Sequence, residues 1–175
     1  MFKKKYTPEE LGALIYESVR SEMEGDAELS IHYFIEELGK QESELQEQYV
    51  GVVMIACLFG AVLAIERSTA PWVCRRIRTG LETEFFKHLF EQGASDQEVE
   101  EWRAVQAEHF LGYFKALEGK SGGELPVELG WELVWNLAGV EDDDDLVAQR
   151  AALYVMASRD HTQRIIDEHE PNLLP

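Results

Sequence analysis

The chain has 175 residues, 45% of them hydrophobic, and carries 34 acidic against 16 basic residues for a formal net charge of −18. That length and apolar content suit a single domain, 1–175, with a core large enough to hold it, and exclude an intrinsically disordered chain. The charge repels phosphate backbones, which argues against direct nucleic-acid binding, and it favours a partner with a basic surface.

The first helix is expected to open at Thr7, with Pro8 in its first turn and Glu10 completing a capping box. Leu11, Leu14, Ile15 and Val19 form its apolar face, and Gly25 ends it. Asp26 can cap a second helix that turns Ala27, Ile31, Phe34, Ile35 and Leu38 inward and stops at Gly39.

The third helix, residues 42–68, dominates the chain. From Tyr49 to Ile65 it runs seventeen residues without a charge. The run is too long for an ordinary strand and does not alternate, so it reads as a helix apolar on every side. Such a helix belongs in the middle of a bundle or in a bilayer. At about 1.5 Å per residue the run spans roughly 26 Å, short of the ~30 Å of a hydrocarbon core. The other segments are amphipathic and need a protein surface to cover their stripes. A buried central helix is therefore expected, and Ala56, Gly60 and Ala64, spaced by four, would let neighbours approach it closely. No apolar segment follows Lys3, Lys4 and Lys5 to make a secretion signal.

Pro71 opens the fourth helix, with Val73, Ile77, Leu81, Phe85 and Leu89 inward and Gly93 at its end. Ser95 and Glu98 form a second capping box, followed by Val99, Trp102, Gln106, His109, Phe110, Tyr113 and Leu117 on one side of the fifth helix. Gly119 to Gly123 is the clearest loop. A short sixth helix follows Pro126, with Leu129, Leu133, Val134 and Leu137 inward and Trp131 and Trp135 expected to anchor it. Asp142 to Asp145 cap the last helix, whose inward set is Val147, Tyr154, Ala157, His161 and Ile165. The fold class is all-α: a single-domain globular bundle of about seven helices around the buried apolar helix 42–68.

Motifs that carry chemistry are scarce. Cys57 and Cys74 are the two cysteines, Cys57 lying in the apolar run, and no CxxC pattern provides a thiolate zinc site. Two cysteines without a secretion signal point to a reducing compartment, the cytoplasm. A ferritin-like di-metal centre needs Glu-x-x-His on two helices, a motif this chain lacks. Glu28, His32 and Glu36, and Glu84 with His88, share helix faces but lie beside the apolar stripes, so neither a metal nor a cofactor is expected. There is no Gly-x-Ser-x-Gly, and the GKSGG stretch lacks both the spacing of a phosphate loop and a preceding strand.

Two constellations remain. His109 and His161 lie on apolar stripes and, with Glu66, could line a polar pocket near Tyr113, Tyr154 or Arg150. Arg75, Arg76 and Arg78 are the basic cluster that could contact an anion, although pairing with the surplus Glu is the commoner use of such residues. The residues favour a binding protein over an enzyme: an acidic adaptor, inhibitor or immunity-type protein for a basic partner, with a ligand- or metal-binding bundle around His109 and His161 as the alternative. A membrane role is not expected. Phe85, Phe86, Phe90, Trp102, Phe110 and Phe114 are more aromatics than one core needs, which leaves room for a homodimer.

Overall fold

The computed structural model describes residues 5–25, 30, 31, 34, 47–118, 127–138 and 145–169. Among these the chain forms six α-helices: α1 (Pro8–Glu24), α2 (Glu47–Ser68), α3 (Pro71–Glu91), α4 (Asp96–Leu117), α5 (Val127–Ala138) and α6 (Asp145–His169). The expected helix at 26–39 and the start of the central helix at 42–46 lie outside the described residues, apart from Ser30, Ile31 and Phe34; the last two are helical.

Local chemistry starts the helices where the sequence indicates. The Thr7 hydroxyl accepts from the Glu10 N–H at 3.1 Å, and the Thr7 N–H donates to Glu10 Oε2 at 2.7 Å. Ser95 and Glu98 repeat the arrangement before α4, with the Ser95 N–H 2.7 Å from Glu98 Oε2. Each box satisfies two N–H groups that a helix start otherwise leaves unpaired. Pro71 occupies the first turn of α3 at no cost in hydrogen bonding, because that N–H has no intrahelical acceptor.

α2 is the centre of the bundle and touches each of the other five helices. Val53, Ile55, Ala56, Cys57, Leu58, Phe59, Ala61, Val62, Ala64 and Ile65 are all fully buried, which covers its whole circumference. By length and hydropathy Val50–Ser68 could cross a membrane, yet 72% of it is buried inside the bundle. Phe59 anchors an aromatic cluster, its ring 5.3 Å from Phe110, 5.0 Å from Tyr113 and 4.9 Å from Phe114. At Gly60 the small residue lets α6 come close: a β-carbon there would overlap the carbonyl oxygen of Val155.

The structure corrects the reading of α6. Its buried line is Ala148, Ala151, Ala152, Val155, Ser158, Thr162 and Ile166, while Val147, Ala157, His161 and Ile165 are half-buried flanks and Tyr154 is buried beside the line. Large apolar residues mark the face that needs covering, but a close-packed seam selects small ones. Ala148 shows this, since its backbone presses against the bare face of Gly130 on α5. A second correction concerns α5. Leu129 and Leu133 are its fully buried anchors, Trp131 is half-buried, and Trp135 is 49% exposed. Of the surplus aromatics, Phe85, Phe86 and Phe110 are buried, whereas Phe90 and Phe114 reach solvent.

Candidate functional site

One cleft, of about 560 Å³, opens between α2, α4 and α5 and is lined by Val52, Ala94, Glu98, Glu101, Trp102, Val105, His109, Asn136 and Leu137. α4 supplies most of it. Positions 98, 101, 102, 105 and 109 recur at helical spacing, so they stack along one flank of α4, beside the stripe that enters the core. Trp102 forms part of the wall because α2 has no side chain at Gly51, where a β-carbon would strike the indole ring.

His109 lies toward the C-terminal end of that flank. Its ring lies edge-on to Tyr113, with centroids 6.2 Å apart, and its Nδ1 is buried with no hydrogen-bond partner among the described residues. Burial pushes its pKa below the ordinary histidine value, and the nearby Glu108 carboxylate only partly opposes that. Beneath it the Tyr113 hydroxyl accepts a hydrogen bond from Asn136 Nδ2 at 3.3 Å, tying α4 to α5. Toward the N-terminal end of the flank stand two exposed carboxylates. Glu98 accepts from the Ser95 N–H and hydroxyl, which holds its pKa below the usual carboxylate range. Glu101 accepts from the Gln97 side-chain amide at 2.9 Å. The cleft is thus an apolar slot with a histidine toward one end and exposed carboxylates toward the other, and among the described residues no Lys or Arg lines it.

The other residues singled out from sequence lie elsewhere. His161 hydrogen-bonds through Nε2 to Ser18 Oγ at 2.9 Å, joining α6 to α1. Glu66 lies 4.0 Å from Arg78. Neither lines the cleft around His109, so the structure does not gather the three into one pocket. In the arginine cluster, Arg76 grips Glu9 with two bonds, Nε to Oε1 at 2.7 Å and Nη2 to Oε2 at 2.9 Å. Arg78 donates to Glu82 at 2.8 Å and lies over the Phe110 ring, while Arg75 is exposed. Two of the three are therefore engaged by the chain's own carboxylates. Glu84 pairs with Lys87, and His88 with Gln92. Glu28, His32, Glu36 and the GKSGG loop lie outside the described residues.

Ser18 and His161 have the separation of a nucleophile and its base. Yet Ser18 sits in the middle of α1, where the backbone N–H groups are consumed by the helix ladder and leave no oxyanion donors. The pair is a clip between helices. Among the described residues no group of three His, Cys, Asp or Glu side chains could hold a metal ion. Cys57 is fully buried and its thiol is pushed up to about 12 by that burial, which suppresses the thiolate. Comparison with family models, with curated proteins and with solved structures finds no match to this chain.

Proposed function

We propose that the chain is a non-enzymatic interaction protein of the adaptor, inhibitor or immunity type, which presents an acidic surface to a basic protein partner. The observation that carries this reading is the charge of −18 together with where it lies. Along α4, Asp96, Glu98, Glu100, Glu101, Glu108 and Glu118 are exposed against only Arg103 and Lys115. Arg103 is itself committed, 3.3 Å from Glu100 and stacked over Phe86. A surface with this excess of carboxylates over cations attracts basic surfaces and steers them in from a distance. The two free thiols and the burial of α2 within the bundle support a cytoplasmic protein.

The test is the salt dependence of binding. A partner captured on the immobilised full chain is purified, and its affinity is measured between about 50 and 500 mM NaCl, a range over which the Debye length shrinks several-fold. Affinity should fall by about tenfold or more, as expected where charge steers the encounter. An affinity indifferent to salt would sink the reading.

The cleft around His109 supports a second reading, a bundle that binds a small molecule, because its volume of about 560 Å³ falls within the usual size of ligand pockets. Native mass spectrometry of protein purified without chelator tests it: a stoichiometric extra mass favours a resident ligand, and a bare chain favours the partner reading.

A further inference from the structure

We propose that the cleft between α2, α4 and α5 is the receptor for an arginine side chain of the basic partner. This rests on the partner reading above and assigns it a place. The slot has the polarity profile of an arginine, with apolar walls from Trp102, Val105 and Leu137 to cover three methylenes and the exposed Glu98 and Glu101 carboxylates for the charged head. Both carboxylates are exposed, and the capping box engages Glu98 through Oε2, leaving Oε1 without a hydrogen bond among the described residues. Among the described residues no cationic side chain lines the slot, and burial favours the uncharged form of the His109 ring.

Arginine fits better than lysine for a geometric reason. A guanidinium is planar, can bond a carboxylate through two N–H groups, and stacks on an indole face; an ammonium is a more strongly hydrated point charge. The chain already makes both kinds of contact within itself: Arg76 bonds both oxygens of Glu9, and Arg103 lies over the Phe86 ring at 3.8 Å. Trp102 and Glu101 offer the complementary halves of both contacts to a cation from outside.

The experiment titrates N-acetyl-arginine amide, N-acetyl-lysine amide and poly-lysine into the full chain while NMR follows the Trp102 indole and His109 ring signals. Saturable shifts at both are expected with the arginine probe, and weaker ones with the lysine probe. Glu101→Gln should weaken the arginine probe about threefold to fivefold, the worth of one exposed charge pair. Ala94→Leu, which narrows the slot without changing charge, should weaken it too. Glu100→Gln removes the same charge from a residue outside the cleft and should leave the affinity unchanged. Thermal unfolding of each variant shows that it folds.

If poly-lysine binds while the arginine probe gives only diffuse, unsaturated shifts, or if Glu100→Gln and Glu101→Gln weaken it equally, the cleft assignment falls and the acidic-surface reading stands. If neither arginine nor polycation binds at low salt, both fall.

Discussion

Gly12 of α1 and Gly80 of α3 lie on opposite sides of one helix crossing, each against the other helix's backbone. A β-carbon on Gly12 would overlap the carbonyl oxygen of Ile77 and come within 2.6 Å of the Leu81 nitrogen; one on Gly80 would overlap the carbonyl of Glu9. The absence of side chains lets the two axes approach, and it brings Glu9 within reach of Arg76.

The crossing makes a prediction whose sign runs against helix propensity. Glycine inside a helix costs about 1 kcal/mol relative to alanine, so an isolated α1 would gain from Gly12→Ala. In the folded protein the new methyl meets backbone, which no rotamer change can move, and overpacking of this kind costs about 1–3 kcal/mol or more. Gly12→Ala and Gly80→Ala should each destabilise the protein, by roughly 2 kcal/mol at the urea midpoint. A stabilised Gly12→Ala variant would show that the helices cross farther apart.

The seam between α2 and α6 holds a buried bond that does not belong to either helix ladder. Ser158 Oγ donates to the carbonyl of Cys57 at 2.8 Å. Ser158→Ala removes the donor, while the Cys57 carbonyl keeps its own helical bond and is not orphaned. The expected loss is about 1 kcal/mol, the net worth of one such bond. Ser158→Val, which adds bulk where α6 passes Gly60, should cost more.

His161 ties stability to pH. Burial lowers its pKa, with Glu22 opposing and Arg164 assisting, and burial lowers that of His109 as well. The unfolded chain takes up these protons as pH falls through about 6.5, whereas the folded chain resists them until lower pH. These two residues therefore leave stability unaffected above that value and reduce it progressively as pH drops from about 6.5 through the lowered folded values. Easing of the −18 self-repulsion over the same range acts the other way, so the informative quantity is a difference. Urea midpoints of the parent should fall more steeply between pH 7.5 and 5 than those of His161→Gln. Parallel curves would remove His161 as a cause.

The two thiols should differ sharply in reactivity. Cys57 is fully buried with its pKa pushed up to about 12, whereas Cys74 is half-buried with a smaller upward shift from burial and from Glu66. At pH 8 a thiol reagent should label Cys74 in the native protein and reach Cys57 only after unfolding, so labelling of the second thiol reports global opening. Equal rates would mean that α2 is not sequestered.

How much was legible depends on what kind of signal a residue leaves. Capping boxes are local, and Thr7 with Glu10 and Ser95 with Glu98 form the bonds their spacing implies. Stripes of large apolar residues are nearly as readable: Val73, Ile77, Leu81 and Phe85 of α3 are all buried as expected. The seam of α6 was hidden because Ala148, Ala151, Ala152 and Ser158 look like surface until a close neighbour makes them core. The cleft was half visible. His109 and Trp102 stood out, but Glu98, Glu101 and Val105 form a flank whose mixed polarity reads as ordinary helix surface, and Val52 and Asn136 arrive from other helices.

By itself the sequence determined the starts of α1, α3 and α4, the all-α class, the burial of the apolar run and the acidic character, because capping, 3.6-residue periodicity and charge are properties of neighbouring residues along one chain. Only the tertiary structure decided which helices share a surface. It set His161 against Ser18, gave Arg76 to Glu9, and opened a slot beside His109 rather than between the two histidines. Those outcomes depend on how closely two helix axes approach, and that distance is set by the pair of residues meeting at each crossing, which no single stretch of sequence contains.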